Sequence, residues 1–413
     1  MTKKPAIKPC GVLMLIENNA YPWDRRMFHH ATTLQTAGYR VTVICPKGEL
    51  ASKSPWIEVL DGVKVYRYPH FFQASTKFGY PFEYLWSLLC MTVLSIIVWV
   101  REGFQIIHAA NPPDLLFLLA WPYKLLGKSF VYDEHDICPE LYESKFQKRG
   151  WFYHLLLLLE NGSYHAADLV ISTNQSYRDI ALERGGIEDE RSAIVRNGVD
   201  LAEFHRRVPR SELKQNFPYM ATYLGIMGKQ DGVDRIVQAA RHLLYDQGRQ
   251  DVLFVMIGKG ECWRDLQDLS RELKVDHIMH FTGRISDDLL LDYLSTADVC
   301  LAPDPPDKMN ILSTMTKIME YMACERPIVS FDLLETRRSA GEAAVYVSPE
   351  DPKLFAQALS ELLDDPIRRD LMGQIGLDRS IHLVGLDKSQ QALLEAYSRF
   401  RGTRRVRVCV AAS

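Results

Sequence analysis

Apolar runs and helical patterns alternate along most of the chain. The first run, "GVLMLI" (residues 11–16), precedes the amphipathic stretch "DRRMFHHATTLQTAGY", and a second run, "RVTVICP", follows it. Similar pairs continue as far as "SAIVRNGVD" at residues 192–200. Uninterrupted apolar strands that alternate with helices are typical of a parallel sheet covered by helices on both faces. The pattern therefore predicts a doubly wound α/β fold.

A polar stretch, "LAEFHRRVPRSELKQNFPY" at residues 201–219, interrupts this pattern, and a second series of strands and helices follows. Two domains suit a chain of 413 residues. We expect an N-terminal domain at 1–204, a C-terminal domain at 205–385, a helix at 386–401 that packs back toward the first domain, and a basic tail at 402–413. Ligands of such sheets bind at the carboxyl ends of the strands, so two halves that face each other would form a central cleft.

Composition narrows the class of protein. The net charge is −3, 47% of the residues are hydrophobic and 24% are charged, which indicates buried cores and no basic field for nucleic acid. The eight cysteines are scattered without a CxxC pair, so we expect free thiols in a reducing compartment rather than disulfides or a zinc site. The apolar run near the N-terminus is too short for a signal peptide. These features favour a cytoplasmic protein.

One apolar segment departs from this picture. "YLWSLLCMTVLSIIVWV" has 17 residues, begins at Tyr84, ends at Val100 and contains no charged side chain. A membrane-spanning helix needs about 20 apolar residues, and the patterns of a globular domain continue on both sides, so a span is not expected. Two interpretations remain open. The simpler is a buried helix of the first domain, and the other is a helix that contacts the face of a membrane.

The loops after the strands exclude several classes of enzyme. The first strand is followed by "ENNAYPWDRR" instead of GxGxxG, which argues against NAD or FAD. The sequence contains no Walker A, HExxH or GxSxG motif. "IGKGE" (257–261) indicates a tight turn from strand to helix, and "FTGRIS" (281–286) offers backbone that could contact the edge of a base.

A helix start with unusual charges lies in "STMTKIMEYMACERPIVS", residues 313–330. The pattern predicts a helix over 315–323 after a polar loop, with Ser313 and Thr314 as N-cap residues. The unpaired amides of a first helical turn attract anions, so a bound phosphate would favour Lys317 there. Glu320, one turn later, could accept hydrogen bonds from a sugar diol. The alternative is a surface ion pair between Lys317 and Glu320.

A polar cluster follows a strand of the first domain. "VYDEHDICPE" places Asp133, His135 and Asp136 at the carboxyl end of that strand. A histidine between two carboxylates at a strand end is a candidate for a functional site. The carboxylates could also suggest a metal, but the sequence shows no matching second cluster, and a metal site is not expected.

The chain resembles the retaining, nucleotide-sugar-dependent glycosyltransferases of family 4. The resemblance extends from about residue 11 to about residue 397. Its carriers, in order, include "DRRMFHHATTLQTAGYRVTVI", "IHAANPPDLL", "VYDEHDICPELYE", "IVRNGVDLAEF", "FTGRIS" and "KIMEYMACERPIV". It is most similar to bacterial members that build surface polysaccharides on a lipid carrier. The resemblance implies the GT-B fold, in which two Rossmann-like domains, the first on the acceptor side and the second on the donor side, face a central cleft.

The resemblance assigns the donor site to the second domain. Glu320 would bind the ribose hydroxyls of the donor. Arg284 would frame the base. The donor diphosphate would be held by Lys317 and by the backbone around Ser313, Thr314, Met315 and Thr316.

The same resemblance assigns residues of the first domain. His135 matches the histidine that lies against the donor sugar. Asp24 and Arg26 match the loop that closes over donor and acceptor, and Asp136 belongs to the same acceptor side.

Three departures from the family pattern stand out. Leu312 occupies the position of a glutamate that contacts the donor sugar. Three explanations stay open: a loop with a different gap, a donor sugar bound by backbone amides, or a less hydroxylated, deoxy or N-acetylated sugar. Ile226 and Asp231 occupy the positions of an arginine and a lysine in the loop after the first strand of the second domain, so Lys229 is expected to substitute. Glu325 stands where a glycine usually ends the helix.

The implied reaction moves a sugar from a UDP-sugar to a lipid-linked or oligosaccharide acceptor, with retention and with no metal or other cofactor. The sequence offers no convincing carboxylate nucleophile, so a front-face transfer fits better than a double displacement. The enzyme would act at the inner face of the cytoplasmic membrane, with contact through residues 84–100 and without nucleic acid. The alternatives are a nucleotide-sugar epimerase, a sugar phosphorylase without its usual lysine motif, and a non-catalytic donor-binding subunit.

Overall fold

The computed structural model describes residues 9–48, 51–70, 79–348 and 350–402. The chain folds into two compact units. The first comprises Met1–Arg196 and Ser389–Ser413, and the second is Asn197–Lys388. The sequence places the division at residue 204 instead. The basic tail expected at 402–413 lies, from residue 403 onward, outside the described residues.

The first unit contains an eight-stranded sheet in the order β3-β4-β2-β1-β5-β6-β7-β8. Its strands pair in parallel, except for the antiparallel edge pair β3–β4. The strands are β1 (Gly11–Leu15), β2 (Arg40–Lys47), β3 (Ile57–Leu60), β4 (Val63–Pro69), β5 (Ile106–Ala110), β6 (Ser129–Glu134), β7 (Leu169–Ser172) and β8 (Ser192–Ile194). The helices are α1 (Arg25–Thr36), α2 (Tyr80–Arg101), α3 (Phe117–Leu125), α4 (Cys138–Phe146), α5 (Trp151–Ala166) and α6 (Gln175–Glu183).

Each face of this sheet has its own core because successive side chains of a strand point to opposite faces. Val12 and Met14 of β1 pack in one cluster with α1, whereas Leu13 and Leu15 pack in the other with α2 and α3. The first cluster also contains Tyr397 from the C-terminal helix.

The second unit contains a six-stranded, fully parallel sheet in the order β11-β10-β9-β12-β13-β14. The strands are β9 (Tyr219–Leu224), β10 (Val252–Ile257), β11 (Met279–Gly283), β12 (Val299–Ala302), β13 (Ile328–Phe331) and β14 (Ala344–Val347). The helices are α7 (Val233–Arg241), α8 (Trp263–Glu272), α9 (Asp287–Thr296), α10 (Lys308–Leu312), α11 (Thr316–Ala323), α12 (Leu334–Ala340), α13 (Pro352–Asp364) and α14 (Pro366–Arg379). The C-terminal helix α15 (Leu386–Ser398) belongs to the first unit from Ser389 onward. The prediction of two Rossmann-like α/β domains is confirmed.

The apolar segment that ends at Val100 lies within α2. Phe82–Arg101 is long and apolar enough to cross a membrane by length and composition, with a mean hydropathy of 1.8, but only 22% of its most apolar window is buried. The interpretation of this segment as a buried helix is therefore wrong. The seven cysteines within the described ranges are free thiols, as the sequence predicts.

Candidate active site

A fully buried carboxylate, Asp133, organises the carboxyl end of β6 in the first unit. Arg26, in the first turn of α1, donates from Nη2 to Asp133 Oδ1 at 2.7 Å. Its Nη1 donates to the carbonyl of Val195 at 2.6 Å. Asp24 accepts from the amide of Met27 at 3.0 Å and caps α1. The loop after β1 is thus tied to β6 through a charge-assisted contact.

Three histidines converge on the other oxygen of this carboxylate. His108 Nε2 lies 3.0 Å from Asp133 Oδ2, His30 Nδ1 lies 3.1 Å away and His135 Nε2 lies 3.2 Å away. Burial raises the pKa of Asp133, but the guanidinium of Arg26, together with the neighbouring imidazoles, outweighs burial and holds this pKa well below its usual value. Burial also lowers the pKa of His30 to about 3, so this ring is neutral.

His30, His108 and Asp133 place one potential metal-ligand atom each within 4.8 Å of one another. This donor set was not predictable from the sequence, because the two histidines lie on α1 and β5, far from Asp133 along the chain. A cation here would share the carboxylate with the guanidinium of Arg26, whose positive charge opposes it. The donor set therefore fits an ion poorly.

The loop that carries His135 and Asp136 is held by Asn111, which the sequence analysis missed. Asn111 Oδ1 accepts from the amides of His135 at 2.6 Å and Asp136 at 3.2 Å. Its Nδ2 donates to Asp114 Oδ1 at 2.8 Å and to the carbonyl of Asp136 at 2.6 Å. One buried amide thereby fixes the position of both predicted site residues. The available signal was an asparagine directly after the apolar strand "FQIIHAA".

The helix start in the second unit differs from the prediction. The expected polar loop contains the short helix α10, which ends at Leu312 and is capped by Asp307. Helix α11 then begins at Thr316, and its N-cap is Met315, without a side-chain cap. The assignment of Ser313 and Thr314 as N-caps is therefore wrong, because Ser313 is instead the C-cap of α10.

Lys317 is buried, and its ammonium lies 2.7 Å from Asp304 Oδ1, just beyond β12. It also lies 4.9 Å from the centre of the Tyr223 ring. Burial lowers the pKa of Lys317, but Asp304 outweighs this effect and raises the pKa above its usual value. The alternative of a surface pair between Lys317 and Glu320 is thus wrong. Glu320 lies one turn later and is half-buried.

Glycine turns bring three strand ends together around this lysine. A Cβ at Gly258, which has φ +119°, would lie 2.0 Å from the carbonyl oxygen of Gly225. A Cβ at Gly225 would lie 3.6 Å from Lys317 Cε. The amide of Gly258 donates to the carbonyl of Gly283 at 3.1 Å. The "IGKGE" turn is therefore a close backbone contact that a side chain would prevent.

The remaining residues expected to bind the donor lie on loops of the same edge. Lys229 follows β9, Arg284 follows β11, and both are exposed. Ile226 is 67% exposed, whereas Asp231 accepts from the amide of Gly228 at 2.8 Å. Burial raises the pKa of Asp231, and Lys317 partly opposes this rise.

The family comparison matches the two units in turn. The model described as Glycosyltransferase Family 4 matches residues 24–203, and the model described as Glycosyl transferases group 1 matches residues 219–365. Each unit of the chain therefore matches a glycosyltransferase model over most of its length.

Relatives and solved structures agree with this assignment. The chain is 26% identical over 254 residues to a D-inositol 3-phosphate glycosyltransferase of Thermomonospora curvata, with 57% of each chain covered. It thus spans little more than half the length of that relative. A sucrose-phosphate synthase of Thermosynechococcus elongatus superimposes with a TM-score of 0.76 at 18% identity, covering 94% of this chain and 98% of that one. HepE of Anabaena, in complex with UDP-glucose, gives 0.69 at 14% identity, covering 94% and 99%. The fold is GT-B.

The two matched regions differ in their side chains and charges. The family 4 domain concentrates one anion, one guanidinium and three imidazoles at the end of β6. The group 1 domain combines glycine turns, the start of α11 and a buried ammonium. The second arrangement has the backbone and charge that bind phosphate groups.

Proposed function

We propose that the chain is a retaining glycosyltransferase. It moves a sugar from a UDP-sugar to a lipid-linked or oligosaccharide acceptor, in cell-surface polysaccharide biosynthesis at the inner face of the cytoplasmic membrane. Two observations support the donor class: the group 1 domain match and the common fold with HepE, which was solved with UDP-glucose. The surface-polysaccharide role rests on the sequence resemblance.

The buried ammonium of Lys317, beside the glycine turns of the second sheet, is the observation that carries the proposal. The charge that develops on a departing diphosphate is stabilised by a preorganised cation and by backbone amides. Lys317 would supply the cation from its place against Asp304. The amides of Thr314, Met315 and Thr316 would supply the donors, whereas the amide of Ser313 already donates to the carbonyl of Asn310 at 3.3 Å.

Other residues of the group 1 domain complete the proposed donor site. Glu320 would bind the ribose diol, because an ionised carboxylate accepts two hydrogen bonds. Arg284 would frame the base, and Lys229 would reach the phosphates from its exposed loop. These cations and amides would neutralise the leaving group, so the proposal needs no metal or other cofactor.

On the acceptor side, Asp133 fixes the groups that would meet the sugars. His135 would lie against the donor sugar and would stabilise positive charge at the reacting carbon. Asp24 and Arg26 would form the closing loop together with Asp136. Since Arg26 already binds Asp133, its role would be to position that loop. Closure would exclude water, and the leaving phosphate would take the proton of the acceptor hydroxyl.

The test is donor binding by calorimetry with a panel of UDP-, GDP- and TDP-sugars. The informative variant is Lys317→Met combined with Asp304→Asn, because it removes the cation without leaving a buried charge. The matched control is Lys353→Met, an exposed lysine of α13. We expect one nucleotide class to bind wild type and control alike, and to bind the double variant at least about tenfold more weakly.

Three outcomes would contradict the proposal. If no nucleotide sugar binds, the donor class is wrong. If the double variant binds as well as wild type, Lys317 does not hold the diphosphate. If incubation with the donor gives an epimerised nucleotide sugar and no transfer product, the epimerase alternative is correct.

A further inference from the structure

The outward face of α2 is more apolar than its inward face. Six outward side chains are aliphatic or aromatic, with half or more of their surface exposed: Phe82, Leu85, Leu89, Val93, Ile96 and Val100. The inward positions include Ser87 and Ser95, both fully buried, which bond to Glu17 and to Tyr123. A surface helix of a globular protein normally shows the reverse arrangement. The outward face of α2 therefore requires a partner.

Helix α3 continues the same apolar surface. Leu118, Trp121 and Leu125 are exposed at helical spacing on α3. The two helices pack together, because the rings of Trp99 and Tyr123 meet edge to face at 5.7 Å. Between them lies a groove of about 340 Å³ lined by apolar side chains and Thr92, whose hydroxyl bonds to the carbonyl of Leu88. We call this combined surface the α2–α3 face.

We propose that the α2–α3 face docks on the surface of a lipid bilayer and that its groove accepts a hydrocarbon chain. Helix α2 has 22 residues and is about 33 Å long. The six outward side chains offer no hydrogen-bonding atom along this length. Protein–protein interfaces carry about one hydrogen bond per 100–200 Å², whereas the acyl region of a bilayer requires none. The inference adds to the proposed function, since it gives a lipid-linked acceptor a surface.

The charges at one end of the face suit anionic headgroups. Helices α2 and α3 lead into the neighbouring parallel strands β5 and β6, so both helices end at the same edge of the sheet. Arg101 ends α2 and is exposed, and Lys128 follows α3. The carboxylates there, Glu102 and Asp168, each have a lysine partner. The cations can therefore meet anionic lipid.

The geometry favours docking over spanning. Met91 and Val98 of α2 pack in the core cluster that covers β1 and β5. A helix with one face on a sheet cannot be surrounded by lipid. It lies in the plane of the interface, with its apolar face in the boundary between headgroups and acyl chains.

The test is flotation of the full chain with vesicles of phosphatidylcholine, either alone or mixed with phosphatidylglycerol. We expect wild type to float with the mixed vesicles and less with phosphatidylcholine alone. Leu89→Gln combined with Leu125→Gln should lower partitioning by about tenfold or more, because two leucines leave the apolar phase. The matched control is Ile367→Gln, an isoleucine of the second unit that is 81% exposed, and it should float like wild type.

Two results would overturn the inference. In the first, wild type stays in the soluble fraction with both vesicles, or the double variant floats as well as wild type. In the second, wild type forms dimers without vesicles and the double variant is a monomer at the same concentration, so that the face binds a second copy. Donor binding, measured on the same samples, should be equal in all variants, so a failed donor site is distinguished from a failed docking face.

Discussion

The buried pair of Lys317 and Asp304 gives the sharpest test of the second unit. In Lys317→Met the apolar stem remains, but Asp304 keeps a buried carboxylate without its cation. Its Oδ2 already has no hydrogen-bond partner among the described residues. Removing one member of a buried pair costs about 3–5 kcal/mol.

A similar loss of folding free energy follows from the protonation of Asp304 in this variant. A variant that folds must bind a proton on Asp304 to avoid a buried charge. Holding an ordinary aspartate protonated costs about 1.4 kcal/mol per pH unit above about 3.9, hence about 4 kcal/mol at pH 7 and about 1.5 kcal/mol at pH 5. The variant binds more protons when folded than when unfolded, so its stability falls as the pH rises. Lys317 in the wild type stays charged throughout this range, because Asp304 raises its pKa.

Thermal unfolding at pH 5 and pH 7 measures both effects. For a unit of this size, 1 kcal/mol corresponds to about 2–4 °C, so Lys317→Met should melt about 8–16 °C below wild type at pH 7 and about 3–6 °C below at pH 5. Adding Asp304→Asn should restore most of the loss. Lys353→Met is the control. If the melting temperature of Lys317→Met falls by the same amount at both pH values, the ion pair does not stabilise the unit as described. The same conclusion follows if the double variant with Asp304→Asn is no more stable than Lys317→Met.

Three further predictions address other parts of the molecule. Asn111→Asp removes the donors to Asp114 and to the carbonyl of Asp136 and adds a charge beside a buried carboxylate. We expect it to lower the free energy of unfolding by about 3 kcal/mol and to abolish sugar transfer, with donor binding kept. The exposed Asn161→Asp is the control, and full transfer activity in Asn111→Asp would contradict the positioning role. Burial and the nearby carboxylate of Glu83 raise the pKa of Glu17 to about 7, although the hydrogen bond from Ser87 opposes this rise. The wild type should therefore lose stability as the pH rises from about 4.5 to 7. Glu17→Gln should be more stable than wild type by up to about 3 kcal/mol above pH 7, unlike the exposed Glu188→Gln, and parallel melting profiles of wild type and Glu17→Gln would show that Glu17 is ionised. Gly258→Ala should lower the free energy of unfolding by more than about 2 kcal/mol, because its Cβ meets a carbonyl oxygen. Gly248→Ala, with open space around it, should lower it by about half as much. Equal melting temperatures of these two variants would contradict the close contact.

The sequence predicted the two sheets because apolar runs and turn residues are local signals. The place of Lys317 at a helix start was also predictable, since its neighbours along the chain define the helix. Its partner was not, because Asp304 lies 13 residues earlier, outside the helix, and meets Lys317 only through the adjacency of β12 and α11. The short helix α10 was missed because it has only five residues and follows two prolines and an aspartate, so that the whole segment resembles a loop.

The first domain shows the same limit. Asp133 and His135 are adjacent at a strand end and could be recognised together. His30 and His108 join them only because β5 pairs with β6 and the ring of His30 on α1 meets the ring of His108 on β5. The exposure of α2 could not be predicted from composition alone, since an apolar helix can be buried by protein or by lipid.

The ionisation state of Asp133 bears on how the rate of sugar transfer would depend on pH. Its two oxygens are enclosed by a guanidinium and three imidazoles, and its pKa is held well below the usual value by those groups. Such a carboxylate stays ionised at neutral and mildly acidic pH, so it contributes a constant negative charge and does not shuttle protons. The pH–rate profile of the transferase should therefore contain no limb from Asp133, and any acidic limb belongs to the substrates or to another side chain.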